Sequence, residues 1–201
     1  MNRRQLIHAL ALLSAGPLAN SSVVSLGGNM KRAWVKSPVM IRQGCHLWCW
    51  AAAVSMIFGS HRHPVRQERI VESVWGQVTC ISSGPVRNIA ATLSGRWTDE
   101  NGGSFSSRIT AAYDHWNQIN TLSDSFIIDE LANNRPLLYC NWSHAMVAVL
   151  TEYGETHYGP KPMRVGVLDP YIGQFRDLTT SEANPVYRGG EMTFLAAVDV
   201  R

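Results

Sequence analysis

The chain has 201 residues, 45% of them hydrophobic and 16% charged, with seven Trp and a formal net charge of +3. That is long enough for one domain with its own core, and the composition is that of a globular chain without low-complexity tracts. The mild charge, with no basic stripe and no aromatic–basic interleaving, excludes a nucleic-acid binder.

Residues 1–21 read as an export signal. Arg3 and Arg4 give a positive start, Leu6 to Leu18 is mostly apolar, and Ala19-Asn20-Ser21 offers a small-x-small cleavage site. The apolar run is short for a membrane span. The Arg-Arg pair followed by Gln5-Leu6-Ile7 also resembles a twin-arginine signal, so general secretion and the twin-arginine route both stay open. Residues 22–42 follow as a linker or extended arm, with Pro38 near their end.

Residues 49–58 are apolar on every side, which predicts a helix buried all round, ended by Gly59. Pro64 opens a second helix that carries Ile70, Val71, Val74 and Trp75 and stops at Gly76. A third starts at Pro85, with Val86, Ile89, Ala90 and Leu93 at helical spacing. Residues 98–107 are rich in Gly, Ser and Asp and read as a loop; 108–120 fit helix or strand equally. Residues 124–133 form a short helix closed by Asn133-Asn134 and Pro136. Beyond Pro136, Leu137–Cys140, His144–Thr151, Met163–Leu168 and Met192–Val200 are strand-like and separated by turn residues. Helices first and strands second predict an α+β fold, with the active site in the cleft between a helical half and a C-terminal sheet.

The run Gln43-Gly-Cys-His-Leu-Trp-Cys49-Trp-Ala-Ala-Ala holds the chemistry. Cys49 alone reads as a buried structural cysteine. At a helix N-terminus it feels the positive end of the helix dipole, which favours thiolate. A cysteine nucleophile also needs a base, a group that orients the base, and donors for an oxyanion. His144, opening an apolar β-run, is the candidate base. Asp169, ending the next run, is the candidate orienter. Gln43 can aim its side-chain NH2 at the same point as the Cys49 N–H.

The other cysteines are Cys45, Cys80 and Cys140. Their spacing fits neither a zinc site nor a Cys-x-x-Cys redox motif. With Cys49 free, one pair of the three can form a disulfide and one thiol is left over; buried free thiol is the default for Cys140. His61-Arg-His63 has two histidines at i, i+2, which share no helix face, so it reads as surface loop. No metal and no cofactor are expected.

These residues resemble the papain-like cysteine peptidases. The resemblance rests on the spacing of six from Gln43 to Cys49, the run Cys49-Trp50-Ala51, His144 at a strand start and Asp169-Pro170 at a strand end. The Gln-x5-Cys-Trp-Ala-Ala form and the compact Cys…His…Asp-Pro order look like the short bacterial branch, which includes secreted effector proteases of the AvrRpt2 type and C39-like peptidases. The resemblance spans residues 43–171 and implies a papain-like catalytic domain over 43–201. Its helical half would pack on an antiparallel sheet or half-barrel. It implies a Cys49–His144–Asp169 triad with Gln43 in the oxyanion hole. It also implies Trp50, Trp142 and Tyr171 lining the cleft, Tyr171 shielding the histidine–carboxylate pair, and a Cys45–Cys80 bridge.

There are departures. His144 lies 95 residues after Cys49, closer than in papain. Asp169 stands where many members carry Asn, and Cys45 is four rather than three residues before the nucleophile. Residues 22–37 are too few for an inhibitory prodomain of family size, so restraint by export, partner or substrate choice is expected. The expected function is peptide-bond hydrolysis in an exported (periplasmic or secreted) monomer. Its substrate would be a protein or peptide, with no nucleic acid and no lasting membrane association. The same machinery serves a glutamine deamidase or transglutaminase-like acyltransferase, and an inactive binding domain is the third reading.

Overall fold

The computed structural model describes residues 22–201, so the expected export signal over 1–21 lies outside the described residues. Three helices come early: α1 (Cys49–Ser60), α2 (Gln67–Trp75) and α3 (Val86–Thr92). Trp50 through Phe58 are all buried in α1, as expected of a helix without a polar face. Gly59 does not end α1, which runs one residue further. It is small for another reason: a Cβ there would meet a Val39 methyl at 3.2 Å. Gly76 does stop α2, in the left-handed conformation (φ 70°), with its N–H on the Glu72 carbonyl at 2.7 Å.

The strands are β1 (Val23–Gly27), β2 (Met30–Trp34), β3 (Gly95–Thr98), β4 (Ser104–Asp114), β5 (Ile119–Asn120), β6 (Leu137–Cys140), β7 (Ala145–Thr156), β8 (Gly159–Asp169), β9 (Gln174–Asp177) and β10 (Phe194–Val200). They form one ten-stranded sheet whose main path runs β1-β2-β7-β6-β10-β4-β3, with antiparallel pairing between its strands. The long β7 organises it. β6 and β2 succeed one another along one edge of β7, and β8 covers the other. Two further helices, α4 (Asp124–Ala132) and α5 (Thr180–Ala183), are capped by Ser123 and Thr179. The fold is therefore α+β, with α1 packed on β6 and β7 and flanked by α2 and α3. Among the described residues no helix is long and apolar enough to cross a membrane.

Three readings are corrected. Residues 22–42, expected as linker or arm, contain the β1–β2 hairpin, which adds to the sheet by pairing β2 with β7. Gly27 and Gly28 at positive φ make its turn, and Ala33 is fully buried. Residues 98–107, expected as loop, are largely the β3–β4 hairpin. Exposed and buried positions alternate at the start of β4, so Phe105 and Ser107 point inward while Ser104 and Ser106 face out. His63 is not a free surface residue. It bonds Asp99 at 2.9 Å and stacks on Phe105 at 4.5 Å, which ties the end of the α1–α2 connection to the β3–β4 turn.

Candidate active site

Cys49 is the first residue of α1, half-buried and outside any disulfide. The loop leading to it is fastened on several sides. The Gln67 side chain clamps it, accepting from Gly44 N at 3.0 Å and donating to the Arg42 carbonyl at 3.0 Å. Cys45 is bonded to Cys80, Cα to Cα 5.9 Å. The indoles of Trp48 and Trp50 donate to the Thr79 and Ile81 carbonyls at 2.8 and 3.3 Å. The segment through Cys80 is thus a strap against which the start of α1 is held.

His144 directly precedes β7, in a turn built by Asn141. The Asn141 Oδ1 accepts from Ser143 N and His144 N at 3.0 and 2.8 Å, and Asn141 N donates to the His144 carbonyl at 3.0 Å. The imidazole Nε2 bonds Asp169 Oδ1 at 2.7 Å, and the Cys49 side chain is near enough to the ring to favour its charged form. With Nε2 on the carboxylate, Nδ1 is the nitrogen left for the sulfur. Burial pushes the imidazole pKa down, but the bond to Asp169 and the nearby Cys49 side chain outweigh it and raise it from 6.5 to about 9.

Asp169 ends β8 with its side chain only 7% exposed. Burial favours its neutral form, yet the hydrogen bonds from His144 and Arg176 prevail and hold it well below the usual carboxylate range. Its Oδ1 also accepts from Tyr171 N at 2.9 Å, and Oδ2 accepts from Arg176 Nε at 2.8 Å. The Tyr171 ring stands edge-on to His144 at 6.4 Å and is largely exposed. Cys49, His144, Asp169 and Tyr171 are therefore brought together.

Gln43 reaches the same place by its backbone, its N–H donating to the Pro170 carbonyl at 3.0 Å. Its side chain is turned onto the Cys45 carbonyl at 2.9 Å, and its Oε1 is buried without a partner. One of the two amide N–H donors is thereby used and one remains. As the first residue of α1, Cys49 has an N–H that needs a partner outside the helix.

The cleft in front of Cys49 and His144 has a volume of about 690 Å3. Trp50, Trp142 and Cys140 line it; Gln43 does not, and neither does Tyr171, which was expected to. Trp50 is buried beneath, whereas Trp142 is half exposed and packs edge-on against His115 and Trp116 at 5.6 and 5.5 Å. Sequence reasoning missed Trp116, because the turn that presents it is set by Asp114. The Asp114 carboxylate accepts from Trp116 N, Asn117 N and Asn117 Nδ2 at 2.9, 3.1 and 2.6 Å. It missed Asn141 and Arg176 as well; the Asn-x-x-His spacing could have flagged the first. Cys140 is buried as expected, and burial pushes its thiol far up, so it stays neutral.

Among the described residues one group has metal-ligand spacing: Cys45, His46 and Cys80. Both sulfurs are joined in the disulfide, and thiolate is the ligand form, so this group does not fit a metal.

No protein-family model matches the chain, and no curated protein matches it. Among solved structures the chain is similar to a double-glycine-motif protease from an AMS/PCAT transporter, determined in complex with the leader peptide. The two are 16% identical, 83% of this chain and 96% of that chain are covered, and the TM-score is 0.43. The chemistry of the site rests on its own side chains.

Proposed function

We propose that the protein is a papain-like thiol hydrolase that cleaves peptide bonds. The observation that carries the reading is one imidazole bonded to the buried Asp169 carboxylate with the Cys49 side chain beside it, Cys49 and His144 both lining an open cleft. A cysteine in the company of a base and an orienter is an activated nucleophile.

In this reading Cys49 and His144 form a thiolate–imidazolium pair. The thiolate attacks the scissile carbonyl carbon. The oxyanion is held by the Cys49 N–H and by the Gln43 side-chain N–H that Cys45 leaves unused. His144 gives its proton to the leaving amine as the C–N bond breaks, which produces a thioester on Cys49. Neutral His144 then takes a proton from water, whose oxygen attacks the thioester and frees the acid. Asp169 fixes the imidazole tautomer throughout. The reading extends to the short bacterial branch on the order Gln43, Cys49, His144, Asp169 alone. Export is part of it too, since a Cys45–Cys80 disulfide suits an oxidising compartment.

The test is to incubate the protein with a denatured protein mixture and map new N-termini, with Cys49→Ala as control. New termini that vanish in the variant support a peptidase. One-dalton gains at glutamine without cuts would make it a deamidase. Neither product, with no alkylation of Cys49, would make it an inactive binding domain.

A further inference from the structure

Beyond the Cys49–His144–Asp169 series, the hydrogen-bonded chain continues. The Arg176 Nε donates to Asp169 Oδ2 at 2.8 Å, and its two outer nitrogens grip Glu182 at 2.9 and 2.7 Å. One outer nitrogen also lies 3.1 Å from the Met146 sulfur. Glu182 is itself fixed. It forms a capping box with Thr179, with N–H to Thr179 Oγ1 at 3.2 Å and Oε2 accepting from Thr179 N at 2.9 Å. Its carbonyl accepts from the Tyr139 hydroxyl at 2.8 Å. Side-chain exposure along the chain is 7% for Asp169, 28% for Arg176 and 12% for Glu182, so most of it is withdrawn from water.

We propose that Arg176, anchored by Glu182, is a positioning residue of the active site: it holds the second oxygen of Asp169 so that the first stays on His144, and its charge, balanced by Glu182, sets how firmly Asp169 holds the imidazolium. The proposal rests on the thiol-hydrolase reading. The geometry explains why arginine stands here. A carboxylate held through one oxygen, here by His144 and the Tyr171 N–H, can swing, whereas a planar guanidinium on its other oxygen fixes the plane. Lysine is a point charge and cannot hold two carboxylates on the edges of one rigid plane.

The charges alternate through the series Cys49, His144, Asp169, Arg176, Glu182. Facing His144 are Cys49 from α1, Asp169 from the end of β8 and the Tyr171 ring; behind them lie Arg176 of β9, Glu182 of α5, the Tyr139 hydroxyl and the neutral Cys140 thiol of β6. Two substitutions therefore act in opposite directions. Arg176→Gln removes a positive charge near the imidazolium and should raise the pH at which His144 loses its proton. Glu182→Gln leaves Arg176 unbalanced and should lower that pH, while Gln at this position preserves the capping box. A purely structural loosening does not predict opposite signs.

The experiment follows the His144 ring by NMR across pH in the full chain, with iodoacetamide alkylation of Cys49 measured alongside. The expected result is a midpoint moved up by roughly half a unit in Arg176→Gln and down by a similar amount in Glu182→Gln. Alkylation of Cys49 should persist to higher pH in Arg176→Gln and fall off at lower pH in Glu182→Gln, with Arg176→Lys closer to the wild-type profile. Unmoved midpoints, or shifts of the same sign, overturn the proposal. If Arg176→Gln does not fold, Glu182→Gln decides: a lowered midpoint supports the proposal and an unchanged one overturns it. Wild-type Cys49 that alkylates no faster than free cysteine would instead sink the hydrolase reading itself, so the two failures are told apart.

Discussion

Gln43 donates its backbone N–H to the carbonyl of Pro170, the residue after Asp169. The loop that carries Cys49 is thus fastened directly to the strand end that carries Asp169. The two sides of the cleft do not meet through side chains alone. Their spacing is set in part by a main-chain bond that substitution of either side chain leaves in place.

The two free cysteines should behave oppositely toward an alkylating agent. Cys49 is half-buried, in contact with His144 and at a helix start, whereas Cys140 is buried with its thiol held neutral. Intact-mass analysis of the native protein after iodoacetamide should show one added group, at Cys49, and a second only after denaturation. Two rapid additions to the native protein would contradict the burial of Cys140.

The alkaline limb of activity should lie near pH 9, where His144 loses the proton it passes to the leaving group. Its contribution to stability carries the same sign. A folded pKa raised above 6.5 means that the contribution is full below about 6.5 and lost as pH rises through 9. Asp169 works the other way: its depressed pKa gives stability that is present above about 4 and fades only as pH falls well below the ordinary carboxylate range. A pH–rate profile together with chemical denaturation at about pH 2, 4, 6, 8 and 10 checks both. A limb that falls near pH 7 would mean that Asp169 and Cys49 do not hold the imidazolium.

Asn141→Ala should slow hydrolysis by roughly tenfold or more with little change in KM, because the turn that aims His144 loses the acceptor of two backbone N–H groups. Asn141→Asp keeps an acceptor at that place and should retain most of the rate. Equal losses in both variants would show that the turn is not what matters. Steady-state kinetics on a fluorogenic peptide separates the cases.

Replacing Cys45 and Cys80 together by Ser removes a cross-link between positions 35 residues apart. It should lower unfolding free energy by about 2–4 kcal/mol, read from the denaturant midpoint. Catalysis should weaken as well, because the Cys45 carbonyl holds the Gln43 side chain and the Trp48 N–H. A variant with unchanged kcat would show that Gln67 and the Trp48 indole suffice to hold the loop.

Much of the site was legible because its residues sit where chemistry and element boundaries coincide. Cys49 starts a helix, His144 precedes a strand and Asp169 ends one, so each stands at a change of sequence texture. Arg176 was not legible, since it faces Asp169 only once the β8–β9 register places it opposite Val167. Trp116 was hidden for a similar reason, as its place in the cleft follows from a turn organised by the Asp114 carboxylate. The β1–β2 hairpin was missed because both strands are short and β1 is exposed along its length, so no apolar alternation marks it. The start of β4 was missed because its serines resemble a loop until Phe105 is seen to be buried.

The order of strands also bears on when the molecule can first act. β10, the last element in sequence, lies between β6 and β4 in the interior of the sheet. The β1–β2 hairpin waits for β7, more than a hundred positions later. A chain emerging from a ribosome or a membrane pore cannot complete the platform behind His144 until Phe194–Val200 has followed. Such distant pairings make assembly slow, and they make it close to all-or-none. Nascent fragments that already carry Cys49 would then lack the assembled cleft, because the strands that place His144 and Asp169 opposite it come later in the chain.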